Sequence, residues 1–228
     1  FSKKFPTVLK KTKYILSYPQ YIAWKLSKTY STEITYIGCH SYLWDFKKNK
    51  YSQLTKKLSV ENKFPPMKKA WDVIGGFKLN NKKINILNGV HDSNASYLYF
   101  LKSNLKSFTL VSTGTWYITL NQQTNIKKLK PHYDMLCGIN VFGKSVPTMR
   151  FMGGREYELL YKKLKVSSSH FKISKSILQE NLILPSYAPG GPFIIKNYNL
   201  KNILSLKSDE RYSLICIYIS FVLNFVLD

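Results

Sequence analysis

The sequence predicts an α/β protein, and three observations carry that expectation. Helix-period and strand-period segments alternate along the 228 residues. An apolar strand runs into a polar turn of small residues at 88–95 and out into a helix. A tight strand-turn-strand follows at 108–120, broken at Gly114. With 44% hydrophobic residues the chain can bury a sizeable core, and its length suits one large domain or parts of two.

The elements follow in order. Pro19 opens a helix through Tyr21, Ile22 and Leu26, because the amide that proline lacks would have had no partner in a first turn. Residues 41–46 read as a strand and 53–58 as a short amphipathic helix. Phe64-Pro65-Pro66 and Gly75-Gly76 read as loop punctuation. A strand at 84–87, a helix at 95–105 and two strands at 108–112 and 116–120 come next. A strand at 138–142 and helices at 154–164 and 210–227 complete the pattern, with no internal repeat and no low-complexity tract.

The formal net charge is +23, from 35 Lys and Arg against 12 Asp and Glu. Such a balance raises nucleic acid or an anionic membrane as partners. The lysines are instead scattered in pairs, such as Lys10-Lys11, Lys56-Lys57 and Lys127-Lys128, and no nucleic-acid-binding signature accompanies them. Neither nucleic acid nor membrane is therefore expected as a partner. Cys39, Cys137 and Cys216 lie far apart without a C-x-x-C pair, so no metal site or disulfide framework is indicated, and a reducing cytoplasm fits best. No signal peptide is readable. The apolar run 212–227 falls short of the roughly 20 residues a spanning helix needs and reads as a buried helix. The chain opens on Phe1 and closes on Asp228 within an apolar run, so both ends are expected to be cut.

Chemistry concentrates in Asn88-Gly89-Val90-His91-Asp92-Ser93-Asn94-Ala95. Strand ends of this kind are where α/β folds place reactive groups. Asp92 stands there among small residues, as a base or as a helix N-cap, for which Asp, Ser and Asn are all favoured. Ser112-Thr113-Gly114-Thr115-Trp116 is the second concentration. Its glycine permits close backbone approach to an anion and its neighbours offer donors to phosphate, while an ordinary hairpin carries the same residues; a positive φ is expected at Gly114.

Together the two segments resemble the FGGY carbohydrate kinase family, especially its rhamnulokinase and fuculokinase-like members, in which a strand leads into Gly-x-His-Asp and a Ser-Gly-Thr-Trp turn follows. Asp92 and Thr115 lie 115 − 92 = 23 positions apart, which suits that arrangement. Upstream, the likeness extends through the segment from Tyr18 to Ser27, Glu33, and Gly38-Cys39-His40 to Asp45. Downstream it takes in Val146 to Glu156 and Leu184 to Pro192.

The resemblance implies a two-lobed α/β fold of the actin/hexokinase type (ribonuclease H-like), with residues 1–105 finishing the first, sugar-binding lobe and 106–228 beginning the second, ATP-binding lobe. It implies Asp92 as catalytic base, His91 and Ser93 as sugar contacts, and Gly114 and Thr115 as ATP-phosphate contacts. Arg150 and Glu156 are further candidates, with a solvated charge pair at a helix start as the other reading. Trp24, Trp44 and Trp116 are assigned to packing. The implied partners are a ketose sugar and ATP with Mg²⁺, in a cytoplasmic protein and possible homodimer, with no protein metal site in this chain. The family's first phosphate and metal hairpin and its adenosine loop have no counterpart here, so the 228 residues alone are expected to be inactive. An inactive remnant and a basic nucleic-acid-binding module stand as alternatives.

Overall fold

The computed structural model describes residues 2–39, 41–196 and 198–228. The chain divides into two compact units, one of 1–107 with 137–146 and one of 108–136 with 147–228.

In the first unit, short helices α1 (Pro6–Lys11), α2 (Tyr18–Ser27) and α3 (Ile34–Gly38) precede a two-residue ladder, β1 (Trp44–Asp45) with β2 (Lys50–Tyr51). α2 carries its proline in the first turn, as the sequence indicates. The strand expected over 41–46 is confined to Trp44–Asp45, because Ser41 uses its hydroxyl to accept from the Leu43 amide and curls that segment into a bend. His40, within the stretch that carries the family likeness, lies outside the described residues. After α4 (Gln53–Lys57), β3 (Val73–Leu79) pairs antiparallel with β4 (Lys82–Leu87), and α5 (Asp92–Lys102) follows.

The reading of Gly75-Gly76 as loop punctuation is overturned, since both residues lie inside β3. Their lack of side chains serves packing. A Cβ on Gly75 would stand 2.8 Å from the Ser27 Cβ and 3.2 Å from its carbonyl oxygen at the end of α2, so glycine lets helix and strand touch. Ala23 of α2, Ile74 of β3 and Ile86 of β4 form the small core at that contact.

In the second unit, β5 (Leu110–Ser112) and β6 (Tyr117–Leu120) form the hairpin the sequence predicts. With β7 (Met135–Ile139) and β8 (Ser145–Phe151), whose residues 137–139 and 145–146 belong to the first unit together with the turn between them, they make a four-stranded sheet in the order β5-β6-β8-β7. The strand expected at 138–142 is shifted, because Asn140 to Lys144 form a turn, with Gly143 at φ +76° and the Asn140 side chain accepting from the Phe142 and Lys144 amides. α6 (Gly153–Lys163), α7 (Lys175–Glu180), α8 (Lys201–Leu204) and α9 (Ser208–Leu227) follow.

α9 is 20 residues, longer than the apolar run suggested, and by length and composition alone it would be able to cross a bilayer. Here Leu214, Ile215, Tyr218, Ile219, Val222 and Val226 on one face pack with Leu160 of α6, Leu164 at its C-cap and Met149 and Phe151 of β8 into the main core. Phe221, Phe225 and Leu227 remain exposed.

Candidate functional site

The first cluster forms where β4 ends. Asn88 is fully buried and its side chain is saturated: Oδ1 accepts from Ser31 Oγ at 2.7 Å, while Nδ2 donates to the carbonyls of Lys68 at 2.9 Å and Thr32 at 3.2 Å. The fully buried Gln20 of α2 donates through Nε2 to the Asn88 carbonyl at 3.0 Å and that of Gly89 at 3.4 Å. Gly89 sits at φ +83°, in the left-handed region that favours glycine, and so turns the chain out of the strand.

His91 then takes the N-cap position of α5, and Asp92 is the first helical residue instead of the cap. The Asp92 side chain is 92% exposed. Its Oδ1 accepts from the Ser93 amide at 2.6 Å and from Ser93 Oγ at 3.4 Å, and lies 3.0 Å from His91 Nδ1. His91 is mostly buried, its ring 5.1 Å from that of Tyr36. Burial lowers its pKa below the ordinary 6.5, against the pull of the Asp92 charge, so the imidazole is neutral at neutral pH. His91, Asp92 and Ser93 thus come together at one exposed helix start.

The support beneath this turn escaped the sequence reading. Glu33, fully buried, accepts through Oε2 from the Thr35 amide at 2.9 Å and from the Thr35 hydroxyl. Thr35 Oγ1 in turn accepts the His91 amide at 3.1 Å. Burial pushes the Glu33 carboxyl above its ordinary 4.5, with the Thr35 hydroxyl and neighbouring amides pulling the other way.

The second cluster lies in the second unit. Thr113, Gly114 and Thr115 are exposed at the tip of the β5–β6 hairpin. The expected positive φ at Gly114 is not found, and a Cβ there would meet only the Trp116 carbonyl oxygen, at 3.8 Å. The tight position is instead Gly154 at the start of α6. A Cβ on it would stand 2.2 Å from the Gly114 carbonyl oxygen, 2.9 Å from its carbon and 3.2 Å from Thr115 Cα. The hairpin tip therefore rests on the backbone of the helix's first turn.

Arg150 and Glu156 do not form a solvated pair. Arg150 donates from Nε to Asp134 Oδ2 at 3.0 Å and lays its guanidinium 4.9 Å from the Trp116 ring centre. The same Asp134 oxygen accepts the Gly191 amide at 3.1 Å. Glu156 is buried, accepting from the Tyr187 and Ala188 amides at 3.1 Å, from Tyr218 Oη at 2.5 Å and from Ser186 Oγ. It ties α6 to the 186–188 loop and to α9. Among the described residues no group of three or more His, Cys, Asp or Glu is arranged to hold a metal ion.

The family model "Carbohydrate kinase FGGY, C-terminal domain" matches residues 105–228. A carbohydrate kinase from Novosphingobium aromaticivorans is 28% identical with a TM-score of 0.76, the match covering 100% of this chain and 54% of that one. A ligand-bound xylulose kinase from Lactobacillus acidophilus is 15% identical at a TM-score of 0.67, covering 99% of this chain and 50% of that one, a likeness of fold alone. No curated protein matches. The chain spans about half the length of the solved structures it matches.

Proposed function

Because the chain belongs to the FGGY carbohydrate kinase family, with its actin/hexokinase-type α/β fold, we propose that the whole protein transfers the γ-phosphoryl group of ATP to a hydroxyl of a ketose sugar, a hexulose or pentulose. In this reading residues 1–105 serve the sugar-binding lobe and 106–228 the ATP-binding lobe.

The observation that carries the proposal is the Asp92 carboxylate, exposed at the first position of α5 on a turn whose backbone is gripped from below. A base has to meet the hydroxyl it deprotonates, and a rigid element aims it there. Asp92 takes the hydroxyl proton as the sugar oxygen bonds to the γ-phosphorus and the bond to the ADP oxygen breaks. His91, neutral, and Ser93 stand beside that carboxylate and contact the sugar. Gly114 and Thr115 present amides and a hydroxyl to the ATP phosphates, where positioning and charge stabilisation account for most of the rate. No acidic cluster among the described residues fits a metal, and no residue of this chain is assigned to Mg²⁺.

The test is Asp92→Asn in the whole protein, assayed by ADP release with D-xylulose, L-rhamnulose and L-fuculose. Loss of the base is expected to lower turnover ~10²- to ~10⁴-fold with substrate binding kept. Turnover within a factor of about two of wild type would leave Asp92 a helix-start residue and nothing more.

A further inference from the structure

Among the described residues, Glu33 is a fully buried carboxyl with no cation beside it, and its Oε1 accepts no hydrogen bond. Keeping an ionisable group there costs stability that a nonpolar side chain of similar volume would spare. Its other oxygen does one definite thing. By accepting a hydrogen bond from the Thr35 hydroxyl, it leaves the Thr35 oxygen with only lone pairs to offer, and the His91 amide donates to that oxygen at 3.1 Å. That amide belongs to the peptide immediately before the His91-Asp92 pair. The carbonyl of His91, in the next peptide, accepts from Asn94 at 3.0 Å and from Ala95 at 2.9 Å, so His91 is held by Thr35 on one side and by the first turn of α5 on the other. Gln20 holds the same turn two residues earlier, at Gly89.

The geometry points to Glu33 as a positioning residue for phosphoryl transfer: through the Thr35 hydroxyl it fixes the peptide ahead of His91, and with it the place of the Asp92 carboxylate. The inference rests on Asp92 being the base. Glu33 touches no reacting atom. It selects which way the Thr35 hydroxyl points, and a hydroxyl turned the other way would oppose its hydrogen to the His91 amide. A group needed only as an acceptor is replaceable by an amide oxygen, which separates this role from one that needs charge.

The experiment compares Glu33→Ala, Glu33→Gln, Thr35→Val and Thr35→Ser in the whole protein, with Asp92→Asn run in parallel. ADP release with the same three ketoses gives kcat and the KM for ATP. Hydrogen exchange followed by mass spectrometry reports the His91 amide. Glu33→Ala and Thr35→Val are expected to lower kcat ~10- to ~100-fold with KM for ATP unchanged, the size of effect a misplaced catalytic group produces. Glu33→Gln and Thr35→Ser restore most of that loss, and the His91 amide exchanges faster in Thr35→Val alone of the threonine pair. Thr35→Val, nearly isosteric, decides the matter if Glu33→Ala does not fold. Wild-type kcat in Thr35→Val, unchanged exchange at His91, or a rise in KM for ATP matching the fall in kcat would each overturn the assignment. An active Asp92→Asn enzyme would instead sink the reading of Asp92 itself, a separate failure.

Discussion

Gly154 and Gly114 make a pair of substitutions whose outcomes should diverge. At Gly154 an alanine methyl would lie 2.2 Å from the Gly114 carbonyl oxygen, and the other near atoms are also backbone, so no side chain can swing away. Ordinary contact begins near 3.4 Å, so the hairpin tip or the first turn of α6 must move by 3.4 − 2.2 = 1.2 Å. Overpacking of this kind costs about 1–3 kcal/mol, or roughly 2–4 °C in Tm per kcal/mol for a chain of this size. At Gly114 the same methyl finds open space, its nearest neighbour 3.8 Å away and its φ outside the left-handed region. Gly114→Ala should therefore leave Tm unchanged or raise it slightly, since alanine restricts the unfolded chain by about 0.4–1 kcal/mol. What it blocks is a ligand: a phosphate lying on this backbone would meet the methyl, and a loss of about 1.4 kcal/mol or more raises the KM for ATP tenfold or more. Thermal melts of both variants and steady-state kinetics at varied ATP check the two claims separately. A Gly154→Ala protein melting with wild type would refute the close-packing argument, and a Gly114→Ala enzyme with wild-type KM for ATP would leave the turn a hairpin without a phosphate.

Two further outcomes follow from the buried polar groups. Asn88→Ala strips the partners from Ser31 Oγ and the Lys68 carbonyl, whereas the Thr32 carbonyl keeps the Lys68 amide. Two orphaned groups at about 1–3 kcal/mol each should lower stability to urea by about 2–6 kcal/mol, and a loss below about 0.5 kcal/mol would show that Asn88 is no clamp. For Glu33, the folded chain holds the proton above the ordinary 4.5 of the unfolded chain, so its stability is full below 4.5 and declines as pH rises through the raised folded value. The amide of the Glu33→Gln variant has no such proton to lose. The variant's Tm relative to wild type should rise with pH from 4.5 upward and then level, and a difference that stays flat would mean Glu33 titrates normally. His91 works in the opposite sense, lowered below 6.5, so acidification below 6.5 costs both proteins alike and cancels in the comparison.

Local signals made much of the fold legible. Pro19 in a first turn, the hairpin around Gly114 and the amphipathic pattern of α6 each act within a few residues, and each element stands where those signals put it. β8 went unread because Pro147 falls inside it and proline argues against a central strand. The structure tolerates it because pairing with β6 covers Thr148 to Phe151, so the missing amide lies just beyond that ladder, where the Pro147 carbonyl still accepts from Asn121 at 3.1 Å. Gly75-Gly76 misled for a related reason: glycine that makes room for α2 looks the same in sequence as glycine that makes a turn.

The candidate site divides along the same line. Its candidate residues, His91, Asp92 and Ser93, are contiguous, so a turn between strand and helix is enough to single them out. The residues that hold them come from Gln20, Ser31, Glu33 and Thr35, more than fifty positions away in sequence. A short-range pattern has no reach to such partners, and a glutamate among polar neighbours reads as surface. What burial adds is selection among hydrogen-bond directions. In water the Thr35 hydroxyl has solvent for either partner, but away from water its single proton must choose, and Glu33 chooses for it. An exposed carboxylate supplies the chemistry proposed here, while a second one, kept out of water, gives the turn beneath it a single arrangement.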